Sequence, residues 1–423
     1  MRDLAILGAG AAGMLAALYA ADRGLNVTLI DPHWDVPSNL AISGGLVPIA
    51  GSRMQRQTGV DDSPAQWLAD LRAFAGTSVN ERIAASVATA LPQVLDFLLD
   101  KLDAPLQFLP DVPSSGHSVR RFHAVSPASG RALNDWLRRR VEQHSQIECL
   151  KHTANAVPTA DGFVLEVGTG RFPARYLLLA AGGFGASANM VTEFIPDMAG
   201  ALHTGSPTND GSGIRLARTW GAALAGMDGY QGQGHTNPGG RTRLGMSIPV
   251  LGGIMVNRAG RRFVREDIGP SALASRVLAQ PGQQALEVFD ADIEARLGNH
   301  SAYADARAAG AVMQAPDVRA LAHLAGVDAA ALLESLAGTT LKPPYRASWV
   351  TGSLAHTQGG IATDGNARVL DASGVPMPRL YAAGGCAAGL SGHGGDAYLP
   401  GNGLAQSFGL AWLCVEDICA PVA

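Results

Sequence analysis

The stretch from Leu4 to Asp31 constrains this chain more than any other. Leu4 to Leu7 is an apolar run long enough for one buried strand, and Gly8, Gly10 and Gly13 follow at once as G-x-G-x-x-G. Ala11 to Arg23 is alanine-rich and reads as a helix, with Gly24 where a helix stops. Asn26 to Ile30 is a second apolar strand, closed by Asp31. In a βαβ unit of this kind the first glycine makes the tight turn and the second admits a pyrophosphate close to the backbone. The third lets the helix pack against the strand. The helix N-terminus, with its unpaired N–H groups, faces the phosphates. Asp31 stands where an acid accepts hydrogen bonds from ribose hydroxyls. The alternative is a glycine-rich turn without a ligand. In a chain with 52 glycines the spacing alone discriminates weakly, and the strand before it and the helix after it carry the dinucleotide reading.

At 423 residues the chain exceeds what one core usually serves, so two domains are expected. The net charge of −4 offers no electrostatic case for nucleic acid or an anionic membrane. No apolar stretch runs the length of a membrane span without Gly, Pro or charge, so no span is expected. The first strand begins at residue 3, which leaves no room for a signal peptide, and a cytoplasmic setting is the expectation. Cys149, Cys386, Cys414 and Cys419 lack metal-ligand spacing and read as reduced thiols.

Beyond Asp31, Ser38 to Gly45 (SNLAISGG) suggests a backbone passing close to a ligand, with an ordinary loop as the alternative. Residues 62 to 104 carry helical spacing, opened by Asp62-Ser63-Pro64. The segment 114–124, SSGHSVRRFHA, with His117, Arg120, Arg121 and His123, reads either as a contact to an acidic ligand or as a solvated basic loop. Arg131 to His144 is amphipathic, and Ile147–Lys151 and Phe163–Val167 read as strands of a small hairpin system. Tyr176 to Gly183 and Arg379 to Leu390 are two more apolar strands ending in glycines, and Gly252 to Phe263 reads as a hairpin turning near Ala259-Gly260. At Lys342-Pro343-Pro344 the helical pattern stops, which marks a return to the first domain.

Seven segments in this order resemble one family: GAGAAG at 8–13, SNLAISGG at 38–45, LLLAAGGFG at 177–185, NDGSGI at 209–214, GGIMVNRAGRRFVRE at 252–266, HTQGGIATD at 356–364, and LYAAGG at 380–385 with GNG at 401–403. The chain resembles the flavoprotein fumarate reductases, succinate dehydrogenases and 3-ketosteroid dehydrogenases, from Leu4 to about Leu413. The resemblance implies an α/β fold, a Rossmann-like FAD-binding domain with an inserted, mobile α+β capping domain. It implies boundaries of 1–236 and 344–423 for the FAD domain and 237–343 for the cap. By motif, the FAD contacts would be Gly8, Gly10, Gly13, Asp31, Ser38, Asn39, Ser43, Gly44, Gly45, Ala181, Gly182, Asp210, Gly385 and Leu404. The helix after Gly403 would aim its N-terminus at the flavin pyrimidine ring, where reduction accumulates negative charge. Gly385 replaces the acid that many relatives place there. Ser38 stands where membrane-bound relatives attach FAD through histidine, so non-covalent FAD is expected.

By the same resemblance His235 and His356 match substrate-binding positions, although a lone histidine is more often structural. The departures are informative. Where fumarate reductases carry a proton-donating arginine, this chain has Asp267-Ile268-Gly269-Pro270-Ser271, and Met246-Ser247-Ile248-Pro249 replaces their Glu/Arg proton relay. Tyr398 replaces the arginine that clamps the second substrate carboxylate, as the tyrosine of ketosteroid dehydrogenases does; packing beneath the cap is its alternative role. The reading is an FAD-dependent oxidoreductase acting on a CH–CH bond beside a carbonyl, of an oxo-cyclohexane carboxylate or a ketosteroid. Tyr398, His356 and His235 would meet the substrate, and Tyr230 is a candidate for proton transfer. The alternatives are a reductase of an unsaturated carboxylic acid and a flavin-binding protein without turnover. A small-molecule substrate and an external electron partner (quinone, oxygen, dye or protein) follow, without direct use of NAD(P)H.

Overall fold

The computed structural model describes residues 2–112, 116–126, 128–239, 242–245, 247–297 and 301–421. It divides into two compact units, Met1–Met190 with Gly205–Gly229 and His356–Ala423, and Val191–Thr204 with Tyr230–Ala355.

The first unit is built on an eight-stranded sheet. Its main path runs Arg368–Leu370, Pro376–Ala382, Gly170–Leu179, Arg2–Leu7, Val27–Ile30, Ile147–Leu150. From Pro376–Ala382 to Ile147–Leu150 every neighbouring pair is parallel, with Leu4 opposite both Val27 and Tyr176. Strands covered on both faces need continuous apolar runs rather than alternation. Accordingly Leu4, Ala5, Ile6, Leu177, Leu178 and Leu179 are all fully buried. The helix Ala11–Asp22 follows the first strand and is buried along almost all its length, which its alanines permit. It packs beside the C-terminal helix Asn402–Cys419, where Tyr19 stacks on Trp412 with centroids 3.6 Å apart and Phe97 meets Tyr19 edge-on at 5.0 Å. Phe97 belongs to Glu81–Asp100, which alone among the described helices is long and apolar enough to cross a membrane. That helix has Pro92 inside it and buries Ile83, Val87, Leu91, Val94 and Leu98 in the unit's core.

One sequence expectation changes here. Ile147–Leu150 is not part of a hairpin; it extends the parallel sheet by pairing with Val27–Ile30. Gly162–Val167 does form a hairpin, with Ala154–Thr159, and its other edge pairs with Gly170–Leu179. A four-residue apolar strand does not reveal its partner, and here a helix, Gly130–Gln143, supplies the crossover that a parallel neighbour requires.

The second unit holds a six-stranded sheet organised on one long strand, Tyr345–Thr357. That strand pairs with Leu202–His203, Gln284–Asp290, Tyr230–Thr236 and Met313–Ala315, while Ile254–Val256 adds to the far edge of Gln284–Asp290. Met255, Leu273, Leu286, Val288, Phe289, Leu321 and Leu332 are among its core. The unit is therefore wider than 237–343. The chain does not leave it at Pro344, because residues 345–355 form most of its central strand, and residues 191–204 and 230–236 supply further parts. The expected turn near Ala259-Gly260 is present, with Gly260 N–H donating to the Asn257 carbonyl at 2.9 Å. The return arm is not a strand: past Arg262 the Glu266 carboxylate accepts the Met255 N–H at 2.9 Å, and the strand partner is Gln284–Asp290.

Candidate functional site

The glycine turn of the first unit is shaped by close backbone approach. Gly8 has φ +110°, and a Cβ there would lie 2.3 Å from the Ala180 carbonyl oxygen; one at Gly13 would lie 1.9 Å from the Gly8 carbonyl oxygen. No side chain caps the helix that starts after Gly10, so its first N–H groups stay open to an anion. Asp31 closes the loop from below: its two oxygens accept N–H groups of Ala9 at 2.7 Å and His33 at 2.8 Å.

The other motif residues line the same unit. Ser38 caps Asn39–Ile42, accepting from Ala41 at 3.3 Å, and its hydroxyl donates to Asn134 at 2.8 Å. Asn39 accepts the Ser206 N–H at 2.7 Å. Ser43 binds the Leu40 carbonyl and the Gly45 N–H, which holds the turn through Gly44 and Gly45. Ala181 and Gly182 follow the Gly170–Leu179 strand, and Asn209 sits against Gly182. The Asn209 Nδ2 is buried and has no hydrogen-bond partner among the described residues. Asp210 is exposed and precedes the helix Ser212–Thr219, where it accepts the Ser212 N–H at 2.8 Å. Gly385 is explained sterically: a Cβ there would lie 2.9 Å from the Gly183 nitrogen, so the acid found in many relatives has no room on this backbone. Leu404 lies in the first turn of Asn402–Cys419.

That last helix begins at Gly401 without a side-chain cap. Two predicted site residues meet at its N-terminus. The rings of His356 and Tyr398 are edge to face with centroids 5.1 Å apart, and both approach Gly403. Burial pushes the Tyr398 phenol up to about 12, while backbone N–H groups of Gly403 and Gly401 pull it the other way, so it is a neutral donor at pH 7. Burial pushes the His356 imidazole down to about 4, opposed by the Thr357 carbonyl. Its Nδ1 lies 2.9 Å from the Gln358 amide nitrogen. The same Nδ1 lies 3.3 Å from the Thr357 carbonyl oxygen, and the Cε1–Nε2 edge of the ring faces Gly403.

His235 and Tyr230 belong to the second unit, on the strand Tyr230–Thr236. Both side chains are buried, and the His235 Nδ1 lies 3.0 Å from Glu287 on the neighbouring sheet strand Gln284–Asp290. Asp267 is an exposed partner of Arg265 at 2.6 Å, and Ser247–Val250 is a short helix with Ile248 buried. Met246, Ser114 and Ser115 lie outside the described residues.

Sequence reasoning passed over several groups. Thr357 accepts the Phe184 N–H at 3.2 Å, Gln358 orients His356, and Asn402 donates from its amide to Ser391. These small polar residues gave no signal beyond their motifs. Arg243, in the second unit, has its guanidinium held below its usual range by burial and has no carboxylate partner among the described residues. In the described part of the 114–124 segment, Arg121 and His123 are fully enclosed while Gly116, Ser118 and Arg120 are exposed.

The FAD binding domain family matches this chain over residues 3–404. The chain belongs to that family. The cradle fits the cofactor this implies: the close-packed glycines leave backbone exposed to a pyrophosphate, and Asn209 carries an unsatisfied donor beside them. Among relatives, the cytochrome-type fumarate reductase of Shewanella frigidimarina is 26% identical over 98% of this chain and 76% of its own length. The 4-oxocyclohexanecarboxylate 2-dehydrogenase of Sinomonas cyclohexanicum is 25% identical over 90% of this chain and 87% of its own length. In fold, the open conformation of a flavocytochrome c3 fumarate reductase superposes with a TM-score of 0.84 at 24% identity, over 99% of this chain and 78% of that one. A 3-ketosteroid Δ1-dehydrogenase from Sterolibacterium denitrificans gives 0.80 at 21% identity, over 99% of each chain. The protein is an FAD-dependent oxidoreductase, and a fumarate reductase and a 4-oxocyclohexanecarboxylate 2-dehydrogenase are among its relatives.

Proposed function

We propose that the protein desaturates a cyclic ketone at the bond α,β to its carbonyl, with a substrate of the oxo-cyclohexane carboxylate class. The observation that carries this reading is the pairing of Tyr398 and His356 at the N-terminus of Asn402–Cys419. FAD, when bound, supplies the acceptor for a hydride from the substrate β-carbon. Tyr398 donates its hydroxyl proton to the carbonyl oxygen and stabilises the enolate that forms as the α-proton leaves. His356, kept neutral by burial, is a second hydrogen-bonding group beside it. Tyr230 and His235 remain the candidates for taking the α-proton and orienting the ring. A tyrosine cannot replace an arginine as a bidentate carboxylate clamp. Losing two charge-assisted hydrogen bonds, each worth about 1.5–3 kcal/mol, weakens recognition of a dicarboxylate at least ~100-fold. The test is a steady-state comparison of 4-oxocyclohexanecarboxylate with a dye acceptor against fumarate with a reduced dye. Efficient fumarate turnover and an inert ketone would overturn the reading.

Ser38 carries no imidazole, and its hydroxyl is engaged by Asn134 and Ala41, which supports non-covalent FAD. Acid precipitation should leave the flavin in the supernatant; flavin in the pellet would contradict it. One observation favours the second reading, reduction of an unsaturated carboxylic acid. The desolvated Arg243 is a guanidinium of the kind that holds a carboxylate, and in that case Arg243→Ala would abolish turnover of unsaturated acids.

A further inference from the structure

The buried basic cluster of the first unit ends on the backbone beside Tyr398. Arg121 donates from Nε and Nη2 to the two oxygens of Asp62 at 3.0 and 3.1 Å, and from Nη1 to Asp70 at 2.5 Å. The same Nη1 lies 3.1 Å from Nδ1 of His117, and Nε2 of His117 lies 2.9 Å from the carbonyl oxygen of Pro400. A guanidinium only donates and a carbonyl only accepts, so one tautomer satisfies both contacts: Nδ1 bare, Nε2 protonated. Donation therefore starts at Arg121 and runs two ways, to the carboxylates of Asp62 and Asp70 on one side and through His117 to Pro400 on the other. Pro400 lies between Tyr398 and Gly401, the residue that opens Asn402–Cys419. Gly401 has φ +87° and leaves no room on its other side, since a Cβ there would lie 2.7 Å from the Pro48 ring. The His117 ring also packs edge-on against Phe122, with centroids 5.3 Å apart. The N–H of Ser118, next in sequence, donates to Asp70 at 3.0 Å, so the segment bearing His117 is tied to the same carboxylate.

We propose that His117 is a positioning residue: by donating to Pro400 it sets the turn that aims the Tyr398 hydroxyl at the start of Asn402–Cys419. The consequence for turnover rests on the function proposed above; the positioning itself does not. Asp62, Asp70 and Arg121 hold the imidazole in the donating tautomer. The cluster thus adds a polar tether to a turn that also packs against Pro48 and Phe122.

The experiment uses the full chain with its flavin and two variants. His117→Gln keeps a side-chain donor near the position of Nε2, whereas His117→Leu removes it. Amide hydrogen exchange in the peptide spanning 397–404 should speed at least ~10-fold in His117→Leu and return to within about threefold of wild type in His117→Gln. Turnover of the ketone should follow the same order, through kcat more than KM. Unchanged exchange in His117→Leu would overturn the proposal, as would equal loosening in both variants. If exchange follows the expected order while the wild type leaves every ketone untouched, the positioning role stands and the proposed substrate class falls.

Discussion

The helices Ala11–Asp22 and Asn402–Cys419 both begin at a glycine without a side-chain cap. They reach that state by different routes. At the first, the turn is closed by Asp31, only 22 residues from its partner Ala9, within one βαβ unit. At the second, the turn is held by His117, which is 283 residues from Pro400 and depends on Arg121, Asp62 and Asp70. One N-terminus is made by a motif and the other by tertiary structure. A motif of glycines works by leaving space, so its failure is steric. A turn held by a buried polar chain works by filling every donor and acceptor, so its failure is electrostatic.

The sharpest way to separate the two is to fill the space at the first. Gly13→Val places carbon where the Gly8 carbonyl oxygen stands, and the variant should purify without flavin absorbance. A yellow variant with full flavin content would show that the close approach is not what admits the cofactor. At the second, Arg121→Met should leave Asp62 and Asp70 buried without their cation. The expected cost is about 3–5 kcal/mol, read from the denaturant midpoint, since removing one partner strands the others. A loss under about 1 kcal/mol would mean that the cluster is solvated.

Tyr398→Phe isolates the chemistry from both supports. It should lower kcat by about 10²–10³-fold, the cost of one oxyanion donor, with FAD still bound. Full activity in this variant would return Tyr398 to a packing role.

The smallest expected effect per residue is on acid stability. His117, His123 and His356 are each pushed down to about 4, chiefly by burial, while the unfolded chain takes up their protons near pH 6.5. Between those values the unfolded state binds more protons than the native one, so stability falls as pH falls from about 6.5 to about 4 and levels off below. Each histidine should account for about 2 kcal/mol between pH 7 and pH 5. Melting curves across that range check it, and His117→Gln should flatten the slope by one histidine's share.

The same contrast explains how much of the molecule was readable beforehand. Gly8, Gly10, Gly13 and Asp31 announced their unit because strand, turn, helix and strand are contiguous. The strand-then-glycine segments at 176–183 and 379–390 were legible for the same reason. The pairing of Tyr398 with His356 came from motif resemblance, and the structure brings those two rings together. His117 and Arg121 were visible only as a basic loop, because charge in a sequence does not tell whether Asp62 and Asp70 will be folded against it. The limits of the second unit were misplaced at Pro344 for a related reason. A strand that serves a sheet with four partners carries no mark of which unit owns it.

The order of strands in the first sheet has a further consequence, for synthesis. Arg2–Leu7 lies between Val27–Ile30 and Gly170–Leu179, and the sheet is extended by Pro376–Ala382. A ribosome adding about 5–20 residues per second delivers these partners in the course of tens of seconds. The turn through Gly8 to Gly13 thus emerges well before Ala180, which it needs for completion, and the helix that begins at Asn402 follows later still. During that interval the earliest strand has one satisfied edge and one open edge, the arrangement most exposed to wrong pairing.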